Sequence, residues 1–231
     1  MPPLTRQPAS LSFTGNIAVE PPFSPPLVFA GIEFDLATVA ALCGAPDGAT
    51  VQLGFGADYV NMHITHPCFL EPAEIVVYMI GNGAPAPLML RIENVEVAQQ
   101  GTGVATRMVA RMAQKAQSLG ITQFSLTAVN NMSAPGYPPA KNGTYAWIKL
   151  GFDGPLDLED YDYKLATPGL AEKFRTGSIS TVAAVLADPE GPEFWRKNDR
   201  VAKLSFDLRS ESLSWKTLTN RLAQKNFIGS N

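Results

Sequence analysis

The sequence predicts a mixed α/β fold. Three observations predict it. Apolar, strand-like runs follow one another as a meander between residues 50 and 97. A strand, a glycine turn, a helix and a further strand then succeed one another from 88 to 129. And 45% of the 231 residues are hydrophobic, enough to fill the core of one large domain with or without an appendage.

The elements follow in chain order. Residues 1–30 hold Pro2, Pro3, Pro8, Pro21, Pro22, Pro25 and Pro26, which exclude a regular helix or a central strand. This leader is either extended or an arm packed across the domain, and Phe13, Phe23, Val28 and Phe29 favour packing. Residues 35–43 read as a short helix capped by Asp35 and stopped by Gly44. Strands are expected at 50–54, 59–65 and 74–80, a turn at 81–83, and a strand at 88–97. Val104, Met108, Met112, Ala116 and Leu119 recur at helical spacing. Arg107, Arg111 and Lys115 form another face of that helix, and Gly120 ends it.

Residues 124–129 read as the next strand and 144–152 as a short helix with its exit. Beyond Phe152 the composition changes. Asp157, Glu159, Asp160 and Asp162 alternate with Leu156, Leu158, Tyr161 and Tyr163, either a polar surface over buried rings or a surface for a basic acceptor. Helices are expected at 168–173, 178–186, 192–200 and 212–225, and a strand at 204–208. The expected organisation is a leader at 1–30, a core domain at 31–165 and a partly helical extension at 166–231.

Composition excludes some functions. A net charge of −3 argues against a nucleic-acid binder, which needs a basic surface. No apolar run approaches the length of a membrane span, and the first residues lack the pattern of a secretory signal. Cys43 and Cys68 read as reduced thiols, which leads to the expectation of a cytoplasmic protein. His63 and His66 invite a metal reading. On a strand, residues three apart face opposite sides, so no metal site is predicted; the expected reading is a strand histidine and a loop histidine, with lining of an acceptor pocket the alternative.

The glycine turn carries the chemistry. Gly101 and Gly103 let the backbone bend sharply between strand and helix, and the helix start offers N–H groups to a phosphate. The P-loop pattern fails because no Lys follows Gly103, and the dinucleotide fingerprint fails because Thr106 stands at its third glycine. The run Gln100-Gly101-Thr102-Gly103-Val104-Ala105 matches Gln/Arg-x-x-Gly-x-Gly/Ala. Downstream, Trp147-Ile148-Lys149-Leu150-Gly151-Phe152 is similar to a helix ending in Tyr-x-x-x-Gly-Phe. In this order over 88–152, the motifs resemble the GCN5-related N-acetyltransferase (GNAT) family.

The resemblance implies a mostly antiparallel sheet flanked by helices. It implies acetyl-CoA as acyl-donor cosubstrate, without a metal, and an amine acceptor on a small molecule or a protein. A second copy of the chain is a further candidate partner. It assigns acyl-CoA binding to Val95, Val97, Gln100, Gly101, Thr102, Gly103, Val104, Ala105, Arg107, Asn130 and Trp147. Acetyl transfer needs a polarised carbonyl, a base for the amine and an acid for the thiolate. The backbone N–H near Val95 would polarise the carbonyl. Glu93 and Glu96, the carboxylates of the 88–97 strand and expected on its opposite faces, are the candidate bases. Tyr145 is the candidate acid, because Trp147 stands where the family has its tyrosine and an indole N–H only hydrogen-bonds. That departure leaves a second reading open: a catalytically weak or inactive module that binds CoA or another protein. The Pro-rich loop at 130–143 is expected over the cleft.

Overall fold

The computed structural model describes residues 11–21, 27–81, 86–131, 141–156, 163–198 and 201–225. The expected acidic segment, most of the 130–143 loop and most of the turn after residue 80 lie outside them. The fold class is the expected one, mixed α/β with a mostly antiparallel sheet flanked by helices. The chain divides into two compact units, Met1–Ile121 and Thr122–Asn231.

The first unit contains β1 (Ala18–Glu20), β2 (Leu27–Phe29), β3 (Ile32–Phe34), α1 (Leu36–Leu42), β4 (Thr50–Phe55), β5 (Tyr59–Thr65), β6 (Ala73–Met79), β7 (Leu88–Asn94) and α2 (Val104–Ser118). Its sheet runs β1-β4-β5-β6-β7; β1 lies parallel to β4 and the remaining pairs are antiparallel. Alternation divides this sheet into two faces. Val51, Val60, Met62, Ile64, Ile75, Val77, Leu90 and Ile92 are buried on one. Each such side chain contributes about 1.5–3 kcal/mol by leaving water. Gln52, Asn61, His63, Glu74, Tyr78 and Arg91 stand in register on the other.

The strand expected at 88–97 is shorter, and the register gives the reason. Glu74 pairs with Asn94 and Ile75 with Ile92, so Glu93 is an extra residue opposite no partner, a β-bulge. The chain then leaves β6. Val97 bridges Phe69, the Leu70 N–H donates to the Glu96 carbonyl (2.9 Å) and the Ala98 N–H to the Cys68 carbonyl (2.8 Å). Glu96 therefore lies beyond β7, and the expectation of two glutamates on opposite faces of one strand is corrected.

Local signals explain the helices. The Asp35 carboxylate accepts the Thr38 N–H (2.6 Å) and starts α1. Gly44 (φ 60°) ends the helix against α2, where an added Cβ would stand 2.6 Å from the Met108 carbonyl oxygen. The Pro-rich start hides three strands, β1 to β3, from the sequence reading. β2 and β3 form a hairpin whose two-residue loop, Ala30 and Gly31, has positive φ throughout. Ahead of β1, residues 11–16 are an arm tied to Asp47. Its carboxylate accepts the N–H groups of Thr14 (2.7 Å), Gly15 (3.0 Å) and Asn16 (3.2 Å) and the Thr14 hydroxyl (2.8 Å).

The second unit contains β8 (Gln123–Ala128), β9 (Asn130–Asn131), β10 (Lys141–Asn142), α3 (Gly143–Ile148), α4 (Pro168–Arg175), α5 (Val182–Ala187), α6 (Gly191–Asn198), β11 (Ala202–Phe206) and α7 (Leu213–Gln224). β8 pairs antiparallel with β11 from Phe124–Phe206 to Ala128–Ala202. Thr167, Thr181 and Ser212 cap α4, α5 and α7 through their hydroxyls. Its aromatic core joins Phe124, Phe152 and Phe206, with ring centroids 5.0–5.9 Å apart. Among the described residues no helix is long and apolar enough to cross a membrane.

The Asp47 anchor predicts a pH dependence. Burial pushes this carboxyl up, but the Thr14 hydroxyl and the three backbone N–H groups outweigh it and hold the group below its ordinary 3.8. A depressed carboxyl stabilises the fold above its unfolded-state pKa and loses that contribution as pH falls through the folded-state value. Acid unfolding followed by circular dichroism is expected to show a component below about pH 4 that Asp47→Asn removes. An identical acid transition in the variant would dissociate the arm from Asp47.

Candidate functional site

The site is built where β7 gives way to α2. Gly101 and Gly103 both sit at φ 80°, a left-handed conformation that other residues adopt at a cost. An added Cβ at Gly101 meets nothing within 4 Å, so conformation and not crowding selects glycine there. Between them the Thr102 hydroxyl donates to the Gln99 carbonyl (3.0 Å) and tightens the turn. Gly103 is the N-cap of α2 and provides no side-chain cap. Val104, Ala105 and Thr106 thus open a 15-residue helix whose first turn has neither a capping side chain nor an acidic residue. Uncapped N–H groups and the positive end of the helix dipole favour an anion there.

Upstream, Val95 and Val97 are half-buried and lie between the bulge and the glycines. The bonds flanking Val97 are made by Glu96 and Ala98, and among the described residues nothing accepts from the N–H of Val95 or Val97. Glu96 is half-buried in the same segment.

Glu93, at the bulge, belongs to a polar network on the open sheet face. Its Oε1 accepts from the Tyr78 hydroxyl (3.0 Å) and lies 3.1 Å from Arg91 Nε. Burial first, then the hydrogen bond to Glu93 and that carboxylate's charge, push the Tyr78 phenol above its usual 10. Beside them Asn61 Nδ2 donates to Glu74 Oε1 (2.9 Å) and lies 3.0 Å from His63 Nε2. The sequence reading missed Asn61, Glu74, Tyr78 and Arg91. Their signal was present as polar residues at alternate positions, interrupted by Val76 and Met89, of strands that were correctly expected.

Arg107 has a different surrounding from the one expected. Its guanidinium donates to the Leu11 carbonyl and stacks 4.6 Å from the Phe13 ring. One turn on, Arg111 donates to the Phe13 carbonyl. Both arginines bind the N-terminal arm. The arm, the start of α1 and Arg111 border an open cleft of about 400 Å³ that includes Thr14, Asp35 and Ala40.

Tyr145 and Trp147 are in the second unit. The Lys149 ammonium lies 4.2 Å from the centre of the Tyr145 ring. Trp147 is half-buried and meets Phe152 edge to face at 5.5 Å, and its carbonyl accepts the N–H groups of Leu150 (2.9 Å) and Phe152 (3.2 Å). Gly151 (φ 94°) makes the exit, where an added Cβ would stand 2.3 Å from the Ser214 carbonyl oxygen. Asn130 is the first residue of β9; its side chain lies outside the described residues.

Other chemistries find less support. Burial raises the Cys43 thiol to about 12 and the Cys68 thiol to about 11, so neither is a ready nucleophile at neutral pH. His63 is in β5 and His66 in the following loop, where its Nδ1 accepts the Cys68 N–H (3.0 Å). Among the described residues no group of three His, Cys, Asp or Glu side chains is arranged to hold a metal ion.

The Gly-Phe exit predicts a stability contrast. Gly151→Ala is expected to cost about 2 kcal/mol or more, from positive φ and the clash with Ser214. Trp147→Ala, removing a half-buried ring, is expected to cost about 1–3 kcal/mol, below the range of a fully buried one. Urea unfolding measures both, and an unperturbed Gly151→Ala would contradict this closure.

No family model matches the chain, and no curated protein matches it. Among solved structures it is similar to the crystal structure of nourseothricin acetyltransferase, with 18% identity over 66% of this chain and 67% of that one. The TM-score of that similarity is 0.32, too slight a likeness to bear on function.

Proposed function

We propose that the chain is an acyltransferase that moves an acetyl group from acetyl-CoA to an amine, in the manner of a GNAT enzyme. The observation that supports this most is the turn from β7 into α2, with two left-handed glycines ahead of an uncapped helix start. A pyrophosphate is the group such a turn suits. In this reading Gln100, Gly101, Thr102, Gly103, Val104 and Ala105 seat it. Val95 and Val97 border the acyl arm, and an N–H at Val95 donates to the thioester oxygen as negative charge develops there. Arg107 joins the seat by exchanging the Leu11 carbonyl for a phosphate oxygen.

The chemistry follows in balanced steps. The amine nitrogen attacks the carbonyl carbon, and its surplus proton passes to Glu93, with Glu96 the alternative base. The C–S bond breaks, and the thiolate takes a proton from Tyr145 or from water. The partners are then acetyl-CoA and an amine of a small molecule or a protein. Two free thiols fit a reducing, cytoplasmic setting.

Calorimetry tests the seat. Gly101→Asp is expected to abolish acetyl-CoA binding while leaving the fold intact, since it sets a negative charge against the pyrophosphate. Unchanged affinity would make the loop a plain connector. The base is tested separately: Glu93→Gln is expected to lower turnover about 10²-fold or more with acetyl-CoA affinity retained. Full turnover in both Glu93→Gln and Glu96→Gln would assign deprotonation to water or another group.

Trp147, where the family has its acid, favours a second reading: a module that binds CoA or a protein without turnover. Thiol release across an amine panel separates the two, and binding without release selects the second.

A further inference from the structure

We propose that Tyr78 is a positioning residue for Glu93, holding one carboxylate oxygen so that the other is presented to the acceptor amine. The proposal rests on the reading above, in which Glu93 takes the amine proton.

The case begins with the bulge. The ladder that fixes the other β7 side chains skips Glu93. A bulge re-aims the side chain it carries. Left to itself, a glutamate on a half-open surface would sample several rotamers, and ordering it costs entropy. Two contacts remove that freedom. The Tyr78 hydroxyl from β6 donates to Oε1 (3.0 Å), and Arg91 from β7 forms an ion pair with the same atom, its Nε 3.1 Å away. With Oε1 occupied from two directions, Oε2 is the oxygen an incoming amine meets.

Tyr78 suits this task better than proton transfer. Its phenol is held above the ordinary range by burial and by Glu93, so it remains a hydrogen-bond donor across neutral pH. The charged groups acting on it are Glu93 and Glu74, which favour the neutral phenol, and Arg91, which opposes them. The Tyr59 ring, 6.2 Å away at 51°, packs beside it. Tyr78 sits opposite Met89 in the ladder, so its hydroxyl reaches along the strand towards the bulge and not straight across.

The test combines a titration with kinetics. Carbon-13 NMR of labelled tyrosine, assigned with Tyr78→Phe, is expected to give a Tyr78 midpoint above 10 that falls in Glu93→Gln. An unmoved midpoint overturns the pairing, whatever the protein's activity. In acetyl transfer, Tyr78→Phe is expected to lower kcat about 10–100-fold with KM for acetyl-CoA unchanged. Added to Glu93→Gln, Tyr78→Phe is expected to cause no further loss, because the two act as one unit. A wild-type kcat in Tyr78→Phe, or full additivity in the double variant, overturns the role. A wild-type chain that transfers acetyl to no amine overturns the acyltransferase reading and this role with it; a moved tyrosine midpoint identifies that case.

Discussion

The first unit depends on the alternation of side chains across β4 to β7. Each strand gives most of its apolar residues to one face and its polar residues to the other, with Val76 and Met89 the apolar exceptions on the polar face, and the register keeps the sets in line. Burial of Met62, Ile64, Ile75 and Leu90 fixes that register, because a slip by one residue would put the apolar set in water. The open face then carries Asn61, His63, Glu74, Tyr78 and Arg91 at fixed spacings. The one departure from the ladder, at Glu93, is where the network converges and just before the chain turns into the glycine loop. Core and candidate site thus have a common cause.

Much of this was legible in the sequence. β4 to β7, α1, α2 and β8 were expected within a few residues, because hydrophobic periodicity and caps act over short spans. Gly101 and Gly103 were legible as a turn because few other residues tolerate positive φ. The rest depends on pairing between distant segments. Nothing in residues 88–97 announces that β7 will skip Glu93, since the bulge exists only relative to β6. β1 and the β2–β3 hairpin were hidden by prolines at their borders. Arg107 read as a phosphate ligand from its place on the helix, whereas its arm contacts come from residues nearly a hundred positions earlier.

The Trp147-to-Phe152 stretch teaches a similar lesson. Its pattern has a local physical reason independent of any ligand: α3 must end, and Gly151 alone fits beneath the Ser214 carbonyl. Phe152 then enters the aromatic core of the second unit. The Gly-Phe pattern therefore has a packing reason of its own, which holds whatever chemistry Trp147 takes part in.

In the proposed function the start of α2 seats the pyrophosphate of an acyl-CoA. Amide NMR during titration with acetyl-CoA tests it most directly. The N–H signals of Gly101 to Thr106 are expected to shift most, saturably and to lower field, as they donate to phosphate oxygens, with Val95 moving in parallel. Saturable binding with those amides unmoved, or no binding at millimolar acetyl-CoA, would contradict it.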